Sequence, residues 1–522
     1  MTGIAFNTEE IHQEEGTEYQ LIATILPEDA TNRKIQWEST NPDTASVNEE
    51  GKVSLKKAGM AVIKAYADER RFVAKCLVIV SPKKEAGIEG DYLTPQMFRT
   101  IQDDDDTNAF NEAIKNLSEN CNTVYVPAGI YLINAEESIR LKSHMNFILS
   151  EDAIIKAVPN SAKNYHIIYA SNVQDVTISG GQIVGERYEH NGSAGEWGMG
   201  IGIYDGTNIR ISDMNISNCF GDGIYLCSQH QQDSTASCRQ VEIINCEFSN
   251  NRRNNLSIVS GDDITVDHCR FYHANGTTPE FGIDIETNNA KNPCERITIS
   301  NSLFEGNAQG SIAIITAAND INVINCTLNG DFVNYAGTNV TVSNSVIRGE
   351  VNARVPITME NGTTINEGSS EEDILIASFC AKEGPYTIGK YGIDDANAMS
   401  FRIIENSGSP SGKALRLERL STGTKETGYY LKMEELLLGD ASVLKKGVTY
   451  RFEYIIRGSG QWGIKTDQTG WYPYVPMSDQ FGMGIVTYQA GSAASCNLML
   501  YAVDRTNGMY LEVDSIKIYE VR

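Results

Sequence analysis

Short lines of alternating apolar and polar residues run through most of the chain, and seven of them align with one another. They begin at Val176, Ile209, Val241, Ile264, Ile297, Ile321 and Val340 and read VTISGG, IRISDM, VEIINC, ITVDHC, ITISNS, INVINC and VTVSNS. Alternation with period two puts successive side chains on opposite faces of a strand, so each line predicts a strand with one apolar face. The sixth position holds Gly181, Met214, Cys246, Cys269, Ser302, Cys326 and Ser345, a mostly small column that lets one line stack on the next. A second strand set, GIGIY, GIYLC, NLSIV, GIDIE and SIAII, follows at a fixed offset wherever nothing intervenes, as in Ile209 to Ile224, Val241 to Leu256 and Ile297 to Ile312. A rung of roughly 23 residues with parallel strands about 4.8 Å apart predicts a parallel β-helix, its interior filled by side chains stacked along the axis.

The register also predicts what faces outward. With Ile201, Ile224, Leu256, Ile283 and Ile312 inside, one outer column is Gly200, Gly223, Asn255, Gly282 and Ser311. The next is Gly202, Tyr225, Ser257, Asp284 and Ala313, and a third is Tyr204, Cys227, Val259, Glu286 and Ile315. The first column is nearly bare, which predicts a floor against which a polymer lies. Insertions flank this strand set on both sides, in QIVGERYEHNGSAGEWGM and RFYHANGTTPEF before it and SQHQQDSTASCRQ and TNNAKNPCER after it. Loops on both sides of one face predict the walls of a groove.

Other segments carry different patterns. Residues 1–82 alternate short strands and turns and predict a small β-sandwich with Trp37 in its core. The wording ILPEDATNRKIQWESTNPDTASVNEEGKVSLKKAGMAVIKAYAD resembles the bacterial group-2 immunoglobulin-like domain, a resemblance that implies a spacer on an exported or surface protein. After a linker, DDDDTNAFNEAIKNLSE spaces Phe110, Ala113, Ile114 and Leu117 as a short amphipathic helix with an acidic start, read as capping and solvation rather than a metal site. With the strands of NTVYVPAGIYLI it resembles the N-terminal cap of the pectate-lyase-like right-handed parallel β-helix superfamily. Residues 371–522 again alternate at sandwich spacing, and the closing MYLEVDSIKIYEV resembles the last strand of jelly-roll carbohydrate-binding modules. The expected architecture is all-β: an Ig-like sandwich (1–82), a right-handed β-helix (88–365) and a jelly-roll sandwich (371–522).

Composition narrows the partners. A net charge of −25 with no basic stripe argues against nucleic acid and disfavours a strongly polyanionic substrate unless arginines cluster locally. No run of 18 apolar residues exists, so no membrane-spanning segment is expected. Met1 is not followed by a signal peptide, which leaves cytoplasmic residence or a trimmed mature chain; the Ig-like resemblance favours an extracytoplasmic protein. Eleven cysteines without metal-type clustering are read as small buried side chains.

Candidate chemistry follows from the outer columns. Asp284 and Glu286 share a strand face, and Asp222 in FGDGIYL is expected two rungs away, about 10 Å along the axis. Glycoside hydrolysis needs one carboxylic acid to protonate the leaving oxygen and a second carboxylate to activate water or attack, so these three are the candidate catalytic residues. Arg253 and Arg252 in NNRRNN are candidates for a substrate carboxylate or sulfate, Arg253 facing outward beside Glu280. Tyr225 and Trp197 are candidate stacking platforms, His190 and His273 lie in the wall loops, and Trp462 and Trp471 sit in a C-terminal aromatic loop. The aspartates of SGDDI, Asp262 and Asp263, look like a polygalacturonase motif, yet they occupy the turn slot held elsewhere by Thr207 with Asn208 and by Thr338 with Asn339, and read as turn residues. GEWGMGI, GDGIYL, RRNNLSI and TTPEFGIDIE together resemble β-helix proteins of polysaccharide cleavage. The paired carboxylates put a hydrolase without cofactor first, and the resemblance, whose members include several reactions, leaves two alternatives: a lyase on a uronate-containing glycan using Arg253, Tyr225 or His190 and, as a lyase, Ca²⁺, or a non-catalytic glycan-binding or adhesive surface protein.

Overall fold

The computed structural model describes the chain apart from residues 1, 28, 31, 58, 68–69, 82–91, 101–102, 230–236, 289–293 and 366–373, and, beyond these, 381–387, 392–398, 406–407, 420–426, 433–444, 446, 459–464, 467–480, 490–495, 503–509 and 522. Two compact units result, residues 1–225 with 241–252 and residues 226–240 with 253–522.

The first unit opens with the expected sandwich. Strand Gly59–Ala67 pairs antiparallel with Phe72–Ser81 and with Ile35–Ser39, and Glu10–Glu14 pairs parallel with Phe72–Ser81. Ile11, Leu21, Val53, Ile63, Cys76 and Val78 form its core, and Trp37 packs against that core with its ring stacked on Phe6 at 5.5 Å. Helix Thr107–Lys115 follows and buries Phe110, Ala113 and Ile114, the apolar stripe read from the sequence. Its acidic approach acts differently from simple capping. Asp106 makes no side-chain cap; its carboxylate instead takes the Arg99 guanidinium at 2.6 Å and the Leu132 N–H at 2.7 Å, and Asp105 accepts the Thr107 N–H.

Parallel rungs occupy the rest of the first unit and the start of the second. Val176 faces Ile209 across one strand pair, and Ile264, Ile297, Ile321 and Val340 follow one another in the first strand set. Ile168 pairs with Ile201, and Leu256, Ile283, Ile312 and Phe332 succeed one another in the second set, all but fully buried. A third strand in each rung was not anticipated. Gln182–Val184, Asn215–Ser217 and Glu247–Ser249 in one unit, and Arg270–Tyr272, Leu303–Glu305 and Thr327–Asn329 in the other, are three-residue strands too short for a period-two pattern to register. Each contributes one inward residue, among them Ile216, Phe248, Phe271 and Phe304, and burying a phenylalanine is worth about 1.5–3 kcal/mol.

Corners between strands use left-handed backbone at fixed places. Asn208, Gln240, Asp263, Arg296, Asp320 and Asn339 all have φ between 51° and 61°. Asparagine and aspartate tolerate that conformation best, and their side chains ladder from rung to rung, as in Asn208 to Asp175 at 2.6 Å and Asn325 to Asn301 at 2.6 Å. Asp263 is therefore a corner residue, and Asp262 pairs with Arg296 on the next rung, in keeping with the turn reading of SGDDI. The nine described cysteines are thiols, all but Cys121 buried. In the C-terminal part, Gly482–Gln489 pairs antiparallel with Val351–Glu360, the last β-helix strand, and the Tyr454 hydroxyl donates to the Ala353 carbonyl at 2.7 Å.

Candidate glycan site

In the second unit the strand Phe281–Ile285 presents Asp284 in register with Ser257 before it and Ala313 after it, the expected outer column. Asp284 does not stand in an open groove: it is 2 % exposed. One oxygen accepts the Asn254 side-chain N–H at 3.1 Å, and Asn254 itself is fixed by the Phe281 N–H at 2.9 Å and by the Ser257 hydroxyl at 3.0 Å. Glu286, two residues further along the strand face, is half-buried, and its backbone N–H bonds the Ile258 carbonyl. Arg253 is half-buried in the same unit, while the Glu280 carboxylate accepts the Gly276 N–H. Asn254 went unrecognised from sequence, because its role depends on a partner 30 residues away.

The first unit holds Asp222, Tyr225, Trp197, His190 and Arg252, and three of them differ from expectation. Asp222 is wholly enclosed at 0 % exposure beneath the Met199 sulfur, which meets its backbone N–H, so it lines no groove. His190 is not a wall residue: its side chain is 1 % exposed, sandwiched on Phe220 at 3.6 Å between centroids and parallel to Tyr165. Arg252 is engaged by the Gly195 carbonyl at 2.8 Å and lies 4.1 Å over Phe220, which makes it a lock on the 185–197 loop rather than a substrate ligand. Trp197 stays 46 % exposed and Tyr188 on the same loop 72 %. His273 is exposed, and Trp462 and Trp471 lie outside the described residues.

His190 is held by Glu186, which sequence reasoning missed. One Glu186 oxygen takes the Tyr165 hydroxyl, the Asn160 amide at 3.1 Å and the His190 Nδ1 at 3.1 Å. Burial pushes the Glu186 carboxyl above the usual range, against the opposing pull of His190 and Asn160. The bare floor is also corrected. A Cβ at Gly200 would come within 2.6 Å of the Gly223 carbonyl and 2.9 Å of the Cys219 sulfur, and one at Gly282 within 2.6 Å of Phe304. These glycines are small because the rung packs against them, not because a polymer lies there.

Gly202 is covered as well, by the ring of His166. His166 Nε2 lies 3.0 Å from the Tyr204 hydroxyl, and the rings of His166, Tyr169 and Tyr204 pack at centroid distances of 5.2–5.5 Å, with Tyr225 6.0 Å beyond Tyr204. Tyr225 is 8 % exposed, the inner edge of this aromatic band. Burial, and then the nearby Arg140, hold His166 down at a pKa of about 4, so the imidazole is neutral. A cleft of about 530 Å³ elsewhere in this unit, bordered by Asn41, Lys57, Gln96 and Tyr131, contains none of the candidate residues. No cluster of three metal-ligating side chains exists among the described residues, and no described helix is long and apolar enough to cross a membrane.

Comparison with known proteins agrees with this architecture in two segments. Residues 1–78 match the family of bacterial Ig-like domains (group 2), and residues 234–328 match the right-handed β-helix region. An uncharacterized Bacillus subtilis protein, YclG, is 33 % identical over 302 residues, 52 % of this chain and 51 % of its own length. The chain thus spans about half the length of the curated relatives it matches. Among solved structures, the pre-mature gene product 12 of bacteriophage phi29 is 19 % identical with a TM-score of 0.41 over 52 % of this chain and 41 % of that one, and the Agl-KA catalytic domain 15 % identical with a TM-score of 0.38 over 60 % and 59 %. The chain is a nearly all-β protein that joins an N-terminal bacterial Ig-like domain to a right-handed parallel β-helix.

Proposed function

We propose that this protein is an extracytoplasmic enzyme that hydrolyses a polysaccharide, with Asp284 and Glu286 as its two carboxyl groups. One observation carries the reading: Asp284 is oriented by a fully buried amide, Asn254, that is itself fixed on two sides, and a second, half-buried carboxyl, Glu286, follows just past the end of the strand. A carboxyl locked by a buried neighbour is oriented before substrate arrives, as acid/base chemistry requires. An extended backbone spaces alternate Cα atoms about 6.7 Å apart, and inverting enzymes hold their two carboxyls roughly 6.5–9.5 Å apart, a separation that the two side chains must meet. Glu286, the more open of the two, is assigned to the water and Asp284 to the leaving oxygen. No metal enters the proposed chemistry.

The test is a scan of plant, algal, host and bacterial polysaccharides for new reducing ends and for ultraviolet absorbance, with Asp284→Asn and Glu286→Gln alongside. Reducing ends without absorbance, lost in both variants, support hydrolysis at this pair. An unsaturated, absorbing product would move the assignment to a lyase. The burial of Asp222 and Asp284 alike, at 0 % and 2 % exposure, favours a second reading, a glycan-binding protein without catalysis, because little of either carboxyl is left for a substrate to reach. Sugar binding with neither signal, unchanged in both variants, would establish that reading instead.

A further inference from the structure

The band of side chains around His166 lies outside the carboxyl pair and has its own chemistry. In the first unit, Arg140 pairs in register with Tyr169, and Tyr169 with Gly202, so that arginine, tyrosine and the His166 ring over the glycine follow one another along one outer column. Arg140 is exposed, its guanidinium 5.3 Å over the Tyr169 ring. Its Nε donates to the Glu137 carbonyl at 3.0 Å, and no described carboxylate pairs with it, which leaves the outer edge of the guanidinium toward solvent. Tyr169 and Tyr204 are half-buried, their rings 5.5 Å apart. His166, neutral at physiological pH, bonds Tyr204 and fixes the tilt of both tyrosines without adding a charge.

We infer that Arg140, Tyr169 and Tyr204 form a binding subsite for an anionic sugar, the guanidinium taking its carboxylate or sulfate and the tyrosine rings taking an apolar sugar face. In a chain of net charge −25, a cation left exposed beside partly exposed aromatic rings is complementary to a ligand that brings one anion and one apolar face. The arginine lies over a ring, which restrains its fork before binding. This subsite goes beyond the hydrolytic reading and does not depend on it, since a sugar is held here whether or not its bond is cleaved elsewhere.

The experiment is calorimetric titration of the full chain with a trigalacturonate, a sulfated disaccharide and a neutral cellotriose, at low and high salt. The expected result is binding of at least one anionic ligand that weakens with salt, little binding of cellotriose, and at least a tenfold loss in Arg140→Ala and in Tyr169→Ala. Arg140→Lys, a point charge without the planar fork, is expected to retain part of the affinity. Arg348→Ala, an exposed arginine paired with Asn329, serves as the surface control and should change nothing. Binding of the uronate alone assigns a carboxylate site, and binding of both anions a general one. Absence of binding to either anionic sugar, equal affinity for cellotriose, or affinity in Arg140→Ala within twofold of the parent overturns the inference. Hydrolysis of a neutral glycan with no anion binding would sink this subsite while leaving the carboxyl pair standing.

Discussion

Asn254→Ala is the perturbation that bears most directly on the candidate site. The amide is 0 % exposed, accepts from the Phe281 N–H and donates to Ser257 and to Asp284. Truncation leaves the Phe281 N–H buried without its acceptor, a loss of about 1–3 kcal/mol, and removes one donor from a buried carboxyl, about 1.5–3 kcal/mol more. The expected local destabilisation is therefore roughly 2.5–6 kcal/mol. Native-state hydrogen exchange at the Phe281 amide reads it directly, because each 1.4 kcal/mol off the opening free energy speeds exchange about tenfold. Exchange should accelerate at least about fiftyfold, while amides of the Ig-like strands Gly59–Ala67 and Phe72–Ser81 stay unchanged. A double-mutant cycle with Asp284→Asn separates the carboxyl's share: the two effects should be non-additive by more than about 0.5 kcal/mol if the bond between them matters. An acceleration below threefold at Phe281, or strict additivity, would refute the claim that Asn254 orients Asp284.

Other expectations follow from the first unit. The His166 pKa is depressed from 6.5 to about 4, so the unfolded state binds the proton more readily and stability rises with pH between about 4 and 6.5. The difference is on the order of 3 kcal/mol, and thermal unfolding of His166→Gln across that window should lose it. Glu186 has the opposite sign: its carboxyl is raised, so its contribution is intact below the unfolded pKa and lost as pH rises through the folded one, and Glu186→Gln should gain stability at pH 7 relative to pH 4. Gly202→Ala would overlap the His166 ring and should cost about 1–3 kcal/mol by overpacking, measurable by the same unfolding experiment. Among the nine described thiols, Cys121 should react first with a disulfide reagent in the native protein, because the others are buried and Cys76, for one, is pushed up to about 12.

Much of the architecture was written in the chain. Two of the three strands per rung were legible because their inward residues alternate for five or more positions, and hydrophobic side chains must alternate where one face meets a core. The corner aspartates of SGDDI were separable from a catalytic motif because left-handed backbone recurs at one repeat position, and that preference is local. The third strand stayed hidden because three residues carry only one inward side chain. Exposure was the other thing that sequence register did not carry. The alternation of GIDIE correctly set the face of Asp284, yet whether that face is open depends on residues distant in sequence, and Asn254 with the surrounding chain reduces its exposure to 2 %. His190, read as a wall residue, and Arg252, read as a substrate ligand, are drawn inward by Glu186, Phe220 and the Gly195 carbonyl, and Gly202 is filled by His166. Which residues repeat, and which way they point, is local information carried along each strand. Which of the outward residues water reaches is set by the folded chain alone, because accessibility is a property of what packs over a face and no periodicity along one strand encodes it.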